Sequence, residues 1–472
     1  MPASLNVEVP IQPQLDPEFI PAVLWNRAYR ARVAADPHAT DLGLALERPD
    51  GTCFGYRTRI LPAAGDGAAL NERHVERLVK FLLWQKGGSR IHVAGSEALV
   101  ASLATTYGPE GAQAFDNETV GCQMFGEAIS VRACSQEELP RTNEGAVTLG
   151  RHLDGCRIGF DLGGSDRKCA ALIDGKVVHS EEVVWDPYFQ KDPDYHYQGI
   201  QDTLRRAADK LPRVDAIGGS AAGVYVNNEV RAASLFRGVS REDFDERVRR
   251  IFFRLKDDWG GVPFEVVNDG EVTALAGSMS LAESKVEGSG ALLGISMGTS
   301  LAAGYCDEDG RITPGLNELA FAPVDYRPDA PADEWSGDLG CGVQYFSQQA
   351  VARLAPRAGI ELPSDMPLAE RLVQVQQRMA AGDEQARRIY ETIGVCFGYS
   401  IAHWAEFYEI LNLLILGRVT SGEGGEVLIA SAEKLLRDVF PELGKRVFLR
   451  TPSEKDKRHG QAIAAASLPF IV

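Results

Sequence analysis

The chain has 472 residues, 44% of them hydrophobic, with a formal net charge of −17 and a pI near 5.1. That length suits two to four domains with sizeable cores, and the acidic balance argues against an extended nucleic-acid surface or an anionic membrane partner. No apolar run approaches the roughly 20 residues of a membrane span, and the opening MPASLNVEVPIQPQ lacks the basic and apolar regions of an export signal.

The first predicted element is a hairpin. Residues 41–47, an Asp50-Gly51 turn and residues 53–60 combine a turn signal with aromatic and β-branched content. An amphipathic helix follows over 71–85, with Val75, Leu78, Val79, Phe81 and Leu82 on one side. Ser89 to Ala94 reads as a strand, then come Gly95-Ser96 and a helix near 97–107. The polar stretch 136–143, containing Pro140, suits a linker. Residues 1–150 are therefore expected to form an N-terminal α/β unit, to which no catalytic residue is assigned. Hairpin, helix, strand and Gly-Ser recur in that order at 158–220. This leaves two readings, an ordinary α/β appendage or a degenerate copy of the half-domain that follows. Dimerisation and cleft covering are roles open to either.

The next segments carry chemistry. The apolar run from Cys156 to Phe160 leads into DLGGSDRK (161–168), a second strand to Ile173 and an Asp174-Gly175 turn. A glycine turn between two strands lets backbone N–H groups approach phosphate oxygens. Gly163 and Gly164 allow that approach, Ser165 adds a hydroxyl and Lys168 a charge. Asp161 is suited to hold Mg²⁺ directly or through water. The strand 264–267 ends in Asn268-Asp269 and opens a helix, where Asp269 would project into a cleft as a general base. Each segment taken singly also fits a plain turn or an N-cap. Downstream, 290–295 runs into a second small-residue loop, Ser296 to Ser300, and then another strand and an Asp307–Gly310 turn. The apolar strand 411–416 precedes GRVTSGEGG (417–425), a glycine-rich bend that can take a flat purine, and a helix from about Glu426. A small-residue helix at 460–467 suits tight packing at a hinge.

With these segments in this order, residues 155–472 resemble the actin-like ATPase/sugar kinase superfamily and, within it, the ROK family. DLGGSDRK stands where the family has its DIGGTK-like motif, NDGEVTALAG (268–277) where it has NDAN, and MGTSLAAG (297–304) where it has its second phosphate loop. Gly218 to Val224 and the stretch 380–419 match the glycine-rich strand end and the helices before the nucleotide-side strand. The resemblance implies an α/β fold with two actin-like (RNase H-like) lobes, 151–275 and 276–472, around a cleft. It implies ATP and Mg²⁺ as cofactors and a small sugar or amino sugar as acceptor. Asp269 would be the base, with Asn268, Asn317, Glu318 and Gly223 on the sugar. Gly298, Thr299 and Ser300 would clamp the phosphates from the second lobe, and Gly417, Gly422, Gly424 and Gly425 would border the adenosine.

Two departures narrow this. The family's GE-x-GH box reads Asn317-Glu318-Leu319-Ala320-Phe321, with Phe321 in the place of the histidine, and its zinc cluster reads 337–344 with Cys341 alone. Zinc wants about four ligands in a closed site, so no zinc is expected there, and the family's sugars do not carry over. Arg418-Val-Thr-Ser replaces the usual glycine run. Eight cysteines without a CxxC pair read as reduced thiols and a cytoplasmic location. The expectation is an ATP-dependent carbohydrate kinase without nucleic-acid or membrane partners, compatible with a homodimer. The alternative is a non-catalytic sugar- or nucleotide-sensing protein of the same fold.

Overall fold

Thr40–Glu47 (β1) and Cys53–Ile60 (β2) pair antiparallel along their whole length, as the Asp50-Gly51 turn requires. The computed structural model describes residues 5–144, 149–283, 290–452 and 456–471. Arg90–Ala94 (β3) pairs antiparallel with the other side of β1, and Ser130–Cys134 (β4) runs parallel to β3. Helices Ala22–Ala35 (α1), Gly67–Lys86 (α2) and Glu97–Thr106 (α3) accompany this sheet.

The first lobe has the strands Cys156–Leu162 (β5), Asp166–Ile173 (β6), Lys176–Val184 (β7), Ala216–Ala221 (β8) and Phe264–Asn268 (β11), ordered β11-β8-β5-β6-β7. A short hairpin, Val224–Val226 (β9) with Glu229–Ala232 (β10), stands beside it. β5 is buried at every position, as expected of a central strand covered on both faces. The second lobe has Leu292–Met297 (β12), Leu301–Cys306 (β13), Asn412–Leu416 (β14) and Phe448–Arg450 (β15), ordered β13-β12-β14-β15. In both lobes the first strand pairs antiparallel with the second and parallel with a later one.

The N-terminal sheet has the order β2-β1-β3-β4, the order of four first-lobe strands, but β3 runs antiparallel to β1 where β8 runs parallel to β5. Duplication preserves strand direction, so this sheet is not a degenerate third copy. Most of its core is shared: Leu44, Val79, Phe81 and Trp84 belong to one cluster with Ile295, Phe346, Phe397 and Trp404 of the second lobe, beside a small cluster of its own around Ala45, Cys53, Ala94 and Leu139.

The helix expected at 71–85 starts earlier, at Gly67, and is no surface amphipath. Asn71, His74, Arg77, Lys80 and Gln85 are buried with its apolar residues. Its two buried cations are satisfied by ionic pairing. Lys80 Nζ lies 2.8 Å from Asp116 and 3.2 Å from Asp338, and Arg77 contacts Asp338 at 3.1 Å. Asp338 belongs to the segment between β13 and β14, so these pairs join α2 to the second lobe.

The lobes interleave in sequence. Helix Asp269–Glu283 (α4) packs against β12 and β13, and helix Asp456–Ala466 (α7) returns to cover β5 and β8. A division at 275/276 would cut through α4. α7 sits so close that a Cβ on Gly159 or Gly218 would fall 1.7 Å from the carbonyl oxygens of Ala462 or Ala465. Helices Glu384–Trp404 (α5) and Gly422–Val439 (α6) pack together on the second lobe.

Candidate active site

Parallel pairing places the carboxyl ends of three first-lobe strands in one row. Asn268 of β11 is level with Ala221 of β8, and Ala221 with Leu162 of β5. Such a row is where open α/β sheets bind ligands. Asp161, one residue before that line, takes a hydrogen bond from the Ser220 hydroxyl at 2.7 Å, and Lys168 Nζ lies 3.8 Å away. Burial holds the Asp161 carboxyl above its ordinary range despite those partners.

Asp269 opens α4 directly after β11. Its pKa is pushed up to about 6, by burial first and then by the charge of Asp161. Glu318 is pushed up to about 7 by burial and by Asp269. Three predicted residues, far apart in sequence, therefore share one electrostatic site. Asn268 is held by its Nδ2 donating to the Gly223 carbonyl at 2.7 Å, while its Oδ1 accepts from the Gly270 amide at 2.7 Å. This cap starts the helix and aims Asp269.

Two cavities flank α4. One, of about 390 Å³, is lined by Gly223, Asn268, Glu271 and Glu318. The other, of about 1020 Å³, is lined by Thr273, Gly277, Gly417, Gly422 and Gly425. Asp269, at the start of this helix, lines neither cavity. The first cavity has a wall that the sequence did not announce: Arg48, Asp50 and Phe125 from the N-terminal unit.

That unit also sets the loop bearing Glu318. The carbonyl of Gln85 accepts from the amides of Leu316 and Asn317 at 2.9 and 3.0 Å, and that of Trp84 from Glu318 at 2.9 Å. The last carbonyls of α2, unpaired within the helix, are satisfied by this loop. Asn317 adopts φ 50° and is buried. Its Nδ2 donates to Glu271 Oε1 at 2.5 Å, and its Oδ1 accepts from the Tyr408 hydroxyl at 2.7 Å. Asn317 is thus a brace. Glu271, which sequence reasoning passed over, anchors it and is pushed up to about 8 by burial. Its place two residues after Asp269 was the available signal.

The phosphate-side residues are placed less uniformly. Gly163 closes a tight turn by donating to the Asp166 carbonyl at 2.9 Å, and the Ser165 hydroxyl donates to Asp166 Oδ2 at 2.9 Å. Lys168 pairs with Asp166 at 3.3 Å as well as facing Asp161. Gly164 backs onto Tyr188. In the β12–β13 turn, Gly298 donates to the Ser300 carbonyl, with Thr299 and Ser300 exposed. None of these residues lines either cavity.

The glycine-rich bend differs from expectation. α6 begins at Gly422, not near Glu426, so Gly424 and Gly425 lie inside the helix. Gly424 is buried against the Tyr390 ring and does not border the cavity, whereas Gly425 does. Gly417, at φ 106°, passes so near β12 that a Cβ would lie 2.4 Å from the Met297 carbonyl oxygen.

Phe321 packs against Trp84, Phe115 and Trp335, with centroids 4.4, 5.5 and 5.5 Å away. Cys341 is buried, its Sγ 3.6 Å from Asp338. Among the described residues, the metal-ligand types that converge are Cys169, His179 and Glu181 on β6 and β7, where Arg206 also pairs with Glu181 at 2.9 Å.

No family model matches the chain, and no curated protein is similar to it. Solved structures are similar. A ROK hexokinase from Thermus thermophilus aligns at 18% identity and a TM-score of 0.50, over 66% of this chain and 96% of that one. A ROK family glucokinase from Streptomyces griseus, in complex with glucose and AMPPNP, aligns at 18% identity and 0.47, over 66% and 98%. A ROK family transcriptional regulator, a homolog of the E. coli MLC protein, aligns at 18% and 0.49, over 67% and 79%. The first likeness shows the fold: two actin-like lobes arranged as in a ROK hexokinase.

Proposed function

We propose that the protein transfers a phosphoryl group from ATP to a hydroxyl of a small sugar or amino sugar, with Asp269 as general base. The observation that carries this reading is the position of Asp269 on α4. Asn268 and Glu271 line the smaller cavity and Thr273 and Gly277 the larger, so the helix that Asp269 opens contributes to both, although Asp269 itself lines neither. An acceptor on one side and a nucleotide on the other would meet at that residue.

The residues then divide the work. Asp269, partly accessible and raised in pKa, takes the proton of the attacking hydroxyl. Glu318 and Asn268 hold neighbouring hydroxyls and so orient the attack. The glycines at 417, 422 and 425 let a base lie against backbone. Two carboxylates that repel each other, the buried Asp161 and the partly accessible Asp269, suit a divalent cation, and Asp161 is the residue that would hold Mg²⁺. Mg²⁺ would neutralise charge on the phosphates. A ligand sensor has no use for this carboxylate pair, whose burial costs stability, and that favours catalysis over sensing.

The test is ADP release from Mg·ATP over a panel of hexoses, amino sugars and polyols. Asp269→Asn should lower turnover by about 10²–10⁴ while nucleotide binding persists. Equal loss of both would make Asp269 structural and defeat the reading.

A further inference from the structure

The lining of the smaller cavity holds two charged groups without an ion pair among the described residues, Glu318 and Arg48. Glu318 is half-buried, and its carboxylate makes no hydrogen bond or ion pair among the described residues, only its backbone being engaged. The other carboxyls in the lining are occupied. Glu265 accepts from Asn228 at 3.0 Å, and Glu271 accepts from Asn317 and from the Tyr305 amide. Asp50 accepts from the Thr52 amide in its own turn.

Arg48 lines the same cavity from the β1–β2 turn. Its backbone is pinned, the amide donating to Thr52 at 2.8 Å and the carbonyl accepting from Gly51 at 3.0 Å. Its guanidinium is half-buried, lies 5.5 Å from the Phe125 ring, and donates to the Lys86 carbonyl. It makes no ion pair among the described residues. The nearby Glu144 pairs instead with Lys86 at 3.0 Å. Asp50 and Glu144 are near enough to favour its charge but neither pairs with it, so a half-buried guanidinium with five donors keeps donors free for an anion. Burial indeed lowers the Arg48 pKa.

We propose that Arg48 anchors an anionic substituent of the acceptor, a carboxylate or a phosphate carried at the end of the sugar remote from the reacting hydroxyl. The proposal rests on the kinase reading above and deepens it. Glu318 meets hydroxyls near Asp269, and Arg48 meets the anion from the N-terminal unit's part of the lining. The N-terminal unit, attached to the second lobe through a shared core, thereby becomes part of the acceptor site and a determinant of specificity.

Matched probes test this. ADP release and melting temperature are measured with glucose against glucuronate and glucose 6-phosphate, and with N-acetylglucosamine against its 6-phosphate. The proteins are wild type, Arg48→Met and Arg48→Lys, with the unliganded melting curve reporting whether each variant folds. The expected result is a kcat/KM at least about tenfold higher for an anionic sugar than for its neutral partner. The two anionic arms separate carboxylate from phosphate. Arg48→Met should collapse that ratio by about tenfold to a hundredfold, the range for a lost charged hydrogen bond, and Arg48→Lys should restore part of it. A neutral sugar used as well as its anionic partner, with the ratio unmoved in Arg48→Met, would overturn the proposal and leave the kinase reading intact. Absence of ADP with every sugar would defeat the kinase reading alone. Melting temperature then decides: a rise with an anionic sugar in wild type but not in Arg48→Met supports the anion site, and equal rises or none overturn it.

Discussion

The Glu318 amide donates to the Trp84 carbonyl across 2.9 Å, which ties the lining of the smaller cavity to the end of α2. Lys80 on the same helix reaches Asp338, so α2 grips the second lobe at its middle and at its end. The N-terminal unit is a structural member of the site, and its disturbance should be felt there.

Lys80→Met would leave Asp116 and Asp338 facing each other in a buried cluster. Removing one partner of a buried pair costs about 3–5 kcal/mol, and that loss is expected in urea unfolding. Adding Asp116→Leu should give less than the sum of the two single losses. A loss below about 1 kcal/mol in the single variant would show that water reaches the cluster and that it does not hold α2.

Glu271→Ala would remove the acceptor for both Asn317 Nδ2 and the Tyr305 amide. Each buried donor left unpaired costs about 1–3 kcal/mol, so the melting temperature should fall. Because Asn317 precedes Glu318, acceptor KM should rise more than kcat falls. Tyr408→Phe, which releases the other side of Asn317, should do the same more weakly. An unchanged KM in both variants would separate the brace from acceptor binding.

The pKa of Asp269 has a consequence for pH. A general base must be ionised, so kcat/KM should fall as pH drops through about 6. The stability effect has the opposite sign. A carboxyl whose pKa is raised by folding favours the folded state below its unfolded value, and that contribution is lost as pH rises through about 6. Asp269→Asn should therefore reduce the decline in stability between about pH 4 and 6. A pH–rate profile and melting curves over the same range check both limbs.

Gly417→Ala should be poorly tolerated. The position has φ 106°, and a Cβ would collide with the Met297 backbone. The strand end would have to move, so weaker nucleotide binding and a lower melting temperature are expected together. Gly422→Ala is the comparison, because its φ of 68° carries strain but its Cβ meets nothing within 4 Å. Equal effects in the two variants would assign the loss to backbone conformation alone.

Local patterns made much of this protein readable from its amino acids. DLGGSDRK and Asn268-Asp269 declare strand ends because apolar runs stop there at short polar or glycine residues, and the Asp50-Gly51 turn declares a hairpin because only a tight reversal fits it. Those are properties of neighbouring residues, and the structure keeps them. Other features depend on pairings between distant segments. The direction of β3, the burial of Lys80 and Arg77, the grip of Trp84 on Glu318 and the exposure of Arg48 to the smaller cavity are of this kind. The glycine-rich segment 422–425 reads locally as a bend, yet it forms the first turn of a helix because Gly424 can be buried against Tyr390. In each case the deciding energy is burial and desolvation summed over elements far apart in the chain, and no stretch of sequence contains that sum by itself.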